Sequence, residues 1–490
     1  MKIPLDRQAK KPVYLQIRDR IQHLIHTGHL SPDTQLPSIR TLAQTVKVNK
    51  LTVLEAYSVL EADGLVRAKQ GAGYFINPPA LRSRRLSVAE ATFNPAQEVL
   101  IPRHGITSFT ESYHASLQSH SQPDSINFSQ GFPFAIGTDD LQRIARRAMK
   151  EAHTFFHPGH PQGDPALRSQ IAQLLIQQGL ETSPENLIVT NGSMQALSLL
   201  AEHFLSPDDW IVVEAPSYHG FLSILQQRKA KVIGIPMTPQ GMNLRLLAQY
   251  LESHRPRLIY TISTLHNPTG ITTCTSHRRK LLALAEQYDC VVIEDNAYEP
   301  LSFDITPPPI KAFDTSDRVI YVGTFSKTLM PGLRVGYMAV TGKENSALTE
   351  RKLLHDFRTS AASQAIVKEY LSSGHYRRRL NQMRVLYRDR RDYMVNALSR
   401  HLPPEVTWTV PNGGTFLWIQ LPDTVSLKDV CTAAAEQRIL VGSGATFFPA
   451  QQGYPALRLN FSLSPEQTER GVQILGNILR TALPPFKHSK

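Results

Sequence analysis

The sequence predicts two domains of different class: a small, mainly α unit finished by a β wing over residues 1–78, and a large α/β domain over 126–490. Three observations carry this. A chain of 490 residues exceeds what one hydrophobic core supports. Apolar residues at helical spacing run through the first sixty positions and give way to two short strand-like pieces with glycines between them. From Ile126 onward, short β-branched runs alternate with helical segments, the pattern of strands buried on both faces in a largely parallel sheet. Residues 79–125, rich in Arg, Ser, Pro and Gln and without periodicity, are expected to be a linker.

In the first unit, Tyr14, Ile17, Ile21 and Leu24/Ile25 define one helix, which Gly28 ends. Ser38 is placed to cap a second, with Leu42 and Val46 inward, and Asn49 to cap a third that carries Val53, Tyr57 and Leu60 and stops at Gly64. Leu65–Ala68 and Tyr74–Ile76, joined through Lys69-Gln70-Gly71-Ala72-Gly73, form a hairpin. Two helices with so short a turn fit a helix-turn-helix whose second member enters a DNA groove. The charge agrees. Of a net +12, residues 1–80 hold 11 Lys/Arg against 6 Asp/Glu, a concentration that suits a phosphate-bearing partner.

The run Leu36-Pro37-Ser38-x-Arg40, then Thr52-Val53-x-x-Ala56-Tyr57-x-x-Leu60, then Gly71-x-Gly73 closely resembles the GntR-type winged helix. The resemblance implies that Arg40 holds a phosphate of double-stranded operator DNA, that Asn49, Lys50 and Thr52 open the recognition helix, and that Gly71 brings wing backbone to the minor groove. A helix N-terminus with nearby cations favours phosphate oxygens. Lys50 stands where that family often has Arg, which favours a phosphate contact over bidentate guanine recognition.

In the large domain the strand-like runs are Leu187–Thr190, Trp210–Glu214, Lys231–Ile235, Leu258–Ile262, Cys290–Glu294 and Val319–Val322. Five chemistry-bearing segments follow them in order. They are Gly192-Ser193-Met194-Gln195, Glu214-Ala215-Pro216-Ser217-Tyr218, His266-Asn267-Pro268-Thr269-Gly270, Glu294-Asp295-Asn296-Ala297-Tyr298 and Thr324-Phe325-Ser326-Lys327 with Arg334. Asn412-Gly413-Gly414-Thr415-Phe416 and Leu457-Arg458-Leu459-Asn460 mark a smaller lobe, expected mainly from about residue 380.

This ordered set resembles the fold-type-I aminotransferases across about residues 126–480. The resemblance implies pyridoxal 5'-phosphate as cofactor, joined to Lys327. Ser193, Met194, Ser326 and Arg334 would form the phosphate site, Tyr218 would stack on the pyridine, and Asn267 and Tyr298 would bond its phenolic oxygen. Asp295 would keep the ring nitrogen cationic, the condition for an electron sink. Arg458 would anchor the carboxylate of an amino acid, with Gly131 lining the same pocket. One departure stands out: the segment Phe155-Phe156-His157-Pro158-Gly159-His160 lacks the tyrosine that aminotransferases place there for the neighbouring subunit's cofactor phosphate. His157 and His160 are the candidate replacements.

Three cysteines, Cys274, Cys290 and Cys431, cannot all pair and show no metal-ligand spacing; Cys290 beside Val291-Val292-Ile293 is expected in the core, and no metal is expected. The opening Met1-Lys2-Ile3-Pro4-Leu5-Asp6-Arg7 has charges where a secretory signal needs an apolar run, and no apolar stretch approaches the ~18–20 residues of a membrane span, so the expectation is a cytosolic protein without a membrane partner. The basic clusters Arg377-Arg378-Arg379 and Arg388, Arg390, Arg391 are expected as a solvated helix face, with flanking DNA as the alternative.

A GntR-type winged helix fused to an aminotransferase-like domain resembles the MocR-type regulators over nearly the whole chain. That implies a cofactor-dependent transcription factor, a homodimer, sensing an amino acid, an amine or pyridoxal phosphate itself. A working aminotransferase that carries a DNA-binding module is the alternative. A cofactor-free scaffold is the third reading, and retention of Lys327, Asp295 and Tyr298 argues against it.

Overall fold

The computed structural model describes residues 5, 13–26, 30–31, 33–62, 65–69, 73–76, 99–101, 124–132, 139–450 and 453–483. The chain divides into two compact units, Met1–Ser87 and Val88–Lys490. The expected linker at 79–125 lies almost wholly outside the described residues, as do Gly28, Gly64 and Gly71.

In the first unit α1 (Val13–His26), α2 (Ile39–Val46) and α3 (Lys50–Ala62) surround a small core. Ile17, Ile21, Leu42, Val53, Ala56, Tyr57 and Leu60 are buried there. Ser38 caps α2 by accepting from the Thr41 amide at 3.1 Å, as its position before an apolar helix predicts. α2 stops because Lys47 turns left-handed (φ 54°), and only Lys47, Val48 and Asn49 separate α2 from α3. The Tyr57 hydroxyl donates to the Pro37 carbonyl at 2.8 Å and ties α3 to the entry of α2. β1 (Val66–Lys69) and β2 (Gly73–Ile76) pair antiparallel, and residues 33–36 run along the other edge of β2, where Leu36 N donates to Tyr74 O at 2.8 Å.

In the second unit β3 (Ile126–Asn127) leads into an eight-stranded sheet. Its strands are β4 (Leu187–Thr190), β5 (Trp210–Ala215), β6 (Lys231–Thr238), β7 (Gly241–Met242), β8 (Leu258–Thr261), β9 (Val291–Asp295), β10 (Val319–Thr324) and β11 (Gly336–Ala339). Their order is β4-β11-β10-β9-β8-β5-β6-β7. The centre, β10-β9-β8-β5-β6, is parallel; β11 and β7 pair antiparallel to their neighbours. Strands β4, β5, β8, β9 and β10 are buried almost end to end, which is why they read as unbroken apolar runs. Cys290 lies in this core, fully buried.

The smaller lobe follows the long helix His375–His401. β12 (Thr407–Trp408), β13 (Phe416–Gln420), β15 (Gly442–Ser443) and β16 (Ala456–Asn460) form one sheet, while β14 (Ile439–Leu440) pairs parallel with β3. The helices Leu427–Glu436 and Pro465–Ala482 cover this lobe, the second opened by a Ser464–Gln467 capping box. Among the described residues no helix is long and apolar enough to cross a membrane, and no cluster of three or more His, Cys, Asp or Glu side chains is arranged for a metal ion.

Candidate functional site

Five of the strands deliver side chains to one place because parallel strands all point their carboxyl ends at the same edge of the sheet, where α/β ligands bind. β4 ends at Gly192 and the N-terminus of helix Ser193–Phe204; β5 leads to Tyr218, β8 to Asn267, β9 to Asp295 and Tyr298, and β10 to Ser326 and Lys327. β16 supplies Arg458 from the smaller lobe, and the segment after β3 supplies Gly131. All eleven residues expected for cofactor and ligand, Ser193, Met194, Tyr218, Asn267, Asp295, Tyr298, Ser326, Lys327, Arg334, Gly131 and Arg458, line a single cavity of about 390 Å³.

At one end of the cavity the geometry suits an anion. Gly192 caps its helix at φ 75°, and a Cβ there would fall 2.8 Å from Arg334 Nη2, so glycine lets the guanidinium lie flat on the loop. Arg334 is itself left-handed (φ 51°) and donates to Asn191 O at 3.3 Å. Ser326 lies beside it, its amide and hydroxyl both bonded to Thr324 Oγ1 at 3.1 Å. The Tyr218 hydroxyl donates to Met194 Sδ at 3.3 Å and positions the ring over the cavity floor.

At the centre, burial and the cations Arg458 and Arg334 push Lys327 down to about 7, so a large fraction of this amine is neutral at physiological pH. Its Nζ donates to Gly131 O at 2.7 Å, an acceptor shared with the Tyr298 hydroxyl at 3.0 Å. Burial pushes Asp295 up to about 6, against the opposing effect of hydrogen bonds from Tyr260 Oη (2.9 Å) and the Ala297 amide (3.2 Å). A carboxylate held so reluctantly is stabilised by any cation brought against it.

At the other end Arg458 is buried, and its own pKa falls to about 10 through desolvation. Nη1 donates to Asn267 Oδ1 at 2.9 Å and Nη2 to Ser129 O at 2.7 Å, while Nε is buried without a hydrogen-bond partner. The guanidinium lies 4.1 Å from the Phe416 ring centroid and 4.8 Å from that of Phe447. A methyl built on Gly131 would stand 3.9 Å from Lys327 Nζ and 4.0 Å from Arg458 Nη2, so amine and anchor face one small volume. An anion cradle, a buried carboxylate, a half-neutral lysine and an unsatisfied guanidinium match the phosphate, ring nitrogen and aldehyde of pyridoxal phosphate and the carboxylate of an amino acid.

Sequence reasoning missed several participants. Tyr260 sits within β8, whose apolar run reads as plain core, yet its hydroxyl orients Asp295. Ser129 acts through its carbonyl, which no side-chain pattern reveals. On helix His375–His401 the expected solvated face holds for Arg377, Arg378 and Arg388, which are exposed, and not for Arg379, Arg390 and Arg391, which are half-buried. Arg379, Arg388 and Arg391 donate to the carbonyls of Thr328, Phe303 and Pro411 at 3.1, 2.7 and 2.8 Å, and Arg390 to that of Leu463. They clamp the helix to the large domain and to the lobe. His157 and His160 line a separate cavity of about 240 Å³ with Arg358 and Lys368, away from Lys327.

In the first unit Arg40, in the first turn of α2, and Asn49 and Lys50, at the start of α3, are exposed, and Thr52 is half-buried in the first turn of α3. Gly71 lies outside the described residues, so the wing tip has no described geometry.

Comparison with known proteins agrees with both units. Residues 13–76 match the family of bacterial regulatory proteins of the gntR type, and residues 123–475 match aminotransferase class I and II. The uncharacterized HTH-type transcriptional regulator YdfD of Bacillus subtilis is 30% identical over 98% of this chain and 99% of its own. The probable rhizopine catabolism regulatory protein MocR of Rhizobium meliloti is 29% identical over 92% of this chain and 89% of its own. The crystal structure of LysN, the α-aminoadipate aminotransferase of Thermus thermophilus, complexed with N-(5'-phosphopyridoxyl)-L-leucine, superposes with a TM-score of 0.70 at 30% identity, covering 76% of this chain and 95% of that one.

Fold and site together define a pyridoxal-phosphate domain of the aminotransferase type joined to a DNA-binding winged helix. The chain belongs to the MocR-type, GntR-family transcriptional regulators, with a class I and II aminotransferase domain over residues 123–475.

Proposed function

We propose that this regulator senses an amino acid or amine through pyridoxal 5'-phosphate joined to Lys327 and reports it as occupancy of operator DNA. The single observation that carries the proposal is that Lys327 Nζ and Arg458 Nη2 face the same point beside Gly131, within 3.9 and 4.0 Å of it. When bound, the cofactor supplies an electrophilic carbon and an electron sink. The chain does the rest. Amides at Ser193 and Met194, with Ser326 and Arg334, hold the phosphate; Tyr218 covers the ring; Asn267 and Tyr298 hold its phenolic oxygen. Asp295, fixed by Tyr260, would hold the ring nitrogen in its protonated form. Lys327, near 7, gives up and takes back a proton at its Nζ without large cost. Arg458 takes the ligand's carboxylate, its free Nε among the donors, and Gly131 leaves the room.

On the DNA side Arg40, Asn49, Lys50 and Thr52, with Gly71, contact operator DNA, in keeping with the exposure of Arg40, Asn49 and Lys50 at the starts of α2 and α3. Residues 79–125 link the units, and the protein acts in the cytoplasm as a homodimer. Ligand binding changes DNA affinity only if the two DNA-binding states differ in ligand affinity. A coupling of ~1–3 kcal/mol changes operator affinity roughly 5- to 150-fold, and operator must change ligand affinity by the same factor. The test measures amino acid affinity of the cofactor-loaded protein with and without operator, beside steady-state turnover with amino acid–keto acid pairs. Reciprocal shifts with slow turnover are expected. Fast turnover with ligand affinity indifferent to DNA overturns the sensor reading in favour of an aminotransferase.

A further inference from the structure

The cavity holds more than the cofactor contacts and the carboxylate anchor need. Beyond Lys327 and Arg458 its wall is formed by Leu440 and Val441 from the smaller lobe and by the rings of Phe132 and Phe447. This wall is placed by the anchor itself. Gly442 pairs with Arg458 in the antiparallel register of β15 and β16, and a Cβ on Gly442 would come within 3.3 Å of Arg458 Cβ. Val441, next to that glycine, is therefore carried to the anchor's side. The rings bracket the reactive groups: Phe132 lies 4.2 Å from Lys327 Nζ and Phe447 lies 4.8 Å from Arg458 Cζ.

The charges of the cavity are already committed. Among the described lining residues the cations are Lys327, Arg334 and Arg458, and the one carboxylate is Asp295. Burial, Arg458 and Lys327 hold His219 well below the ordinary histidine value, so it is neutral. Of the wall hydroxyls, Thr446 donates to Ser443 O at 2.9 Å, and Ser443 bonds the Cys431 thiol.

We propose that the effector is an α-amino acid with an uncharged, mainly apolar side chain, packed against Leu440, Val441, Phe132 and Phe447. This rests on the reading that Arg458 takes the ligand's carboxylate. A second carboxylate, as in aspartate or glutamate, would lose its hydration against this wall and find no further cation among the described lining residues, and a lysine side chain would find no free carboxylate among them. An apolar side chain gains by the same burial.

The test titrates the cofactor-loaded full-length protein with leucine, methionine and phenylalanine against aspartate, glutamate and lysine, following the absorbance band of the bound cofactor. Half-saturation for the first group is expected at concentrations roughly tenfold or more below those for the second, the discrimination a hydrophobic pocket supplies. Val441→Arg, which puts a cation into the wall, should reverse the order of leucine and glutamate while the cofactor band persists as evidence of folding. Glutamate or lysine binding the native protein as tightly as leucine overturns the inference. So does a Val441→Arg protein that keeps both its band and the native order. If no amino acid of either group moves the band, the assignment of Arg458 to a carboxylate fails, and the inference falls with it.

Discussion

In the N-terminal unit Arg40 and Lys50 stand in solvent at the starts of α2 and α3, above a core of about a dozen apolar side chains. In the large unit Lys327 and Arg458 are enclosed, each with its pKa pulled down by desolvation. Exposed cations cost little to place, which suits a long polyanion whose phosphates lie in water. Enclosed cations are expensive, and each must be matched by a partner or shifted toward neutrality. One chain thus carries two kinds of recognition: a tolerant, salt-sensitive surface, and a pocket in which each charge has a fixed use.

The largest expected effect tests the enclosed side. Lys327→Ala should abolish borohydride-trapped cofactor altogether, read by peptide mass spectrometry; an adduct on another lysine would show that the pocket is misassigned.

A graded effect follows from the pKa values. Because desolvation and neighbouring cations disfavour the Lys327 ammonium, the neutral amine is the major form above about pH 7. Capture of added pyridoxal phosphate by cofactor-free protein should therefore rise roughly tenfold per pH unit below that point and level off above it. The fall on the acid side should steepen near pH 6, where Asp295 takes up its proton. A rise that continues toward pH 10 would mean that Lys327 is not enclosed and erase the contrast between the units.

The smallest effect belongs to the exposed side. Arg40→Ala should weaken DNA binding several-fold for every sequence alike and lower the salt dependence by about one phosphate contact, measured by titration at several salt concentrations. Loss confined to one operator would mean that Arg40 reads a base.

Much of this was legible beforehand because the informative features are local. Ser38 precedes an apolar helix by one residue, and the strands β4, β5, β8, β9 and β10 lie within a residue or two of their apolar runs. Asp295 and Lys327 follow their strands so closely that placing the strand places the residue. The antiparallel turn of β11 between β4 and β10 left no such mark, since strand direction depends on partners and not on composition.

By itself, then, the sequence determined the elements, their order and the residue types at the strand ends, since helix caps, apolar periodicity and strand–loop punctuation act over a few positions of chain. Only the tertiary structure decided which distant groups meet. Arg458 reaches Ser129 across 329 positions and Asn267 across 191, and Tyr260 reaches Asp295 across 35. Arg379, Arg388 and Arg391 of helix His375–His401 found carbonyls of loops about 20 to 85 positions away. Such contacts are chosen by packing and by the need to satisfy buried polar groups, and both are properties of the assembled fold.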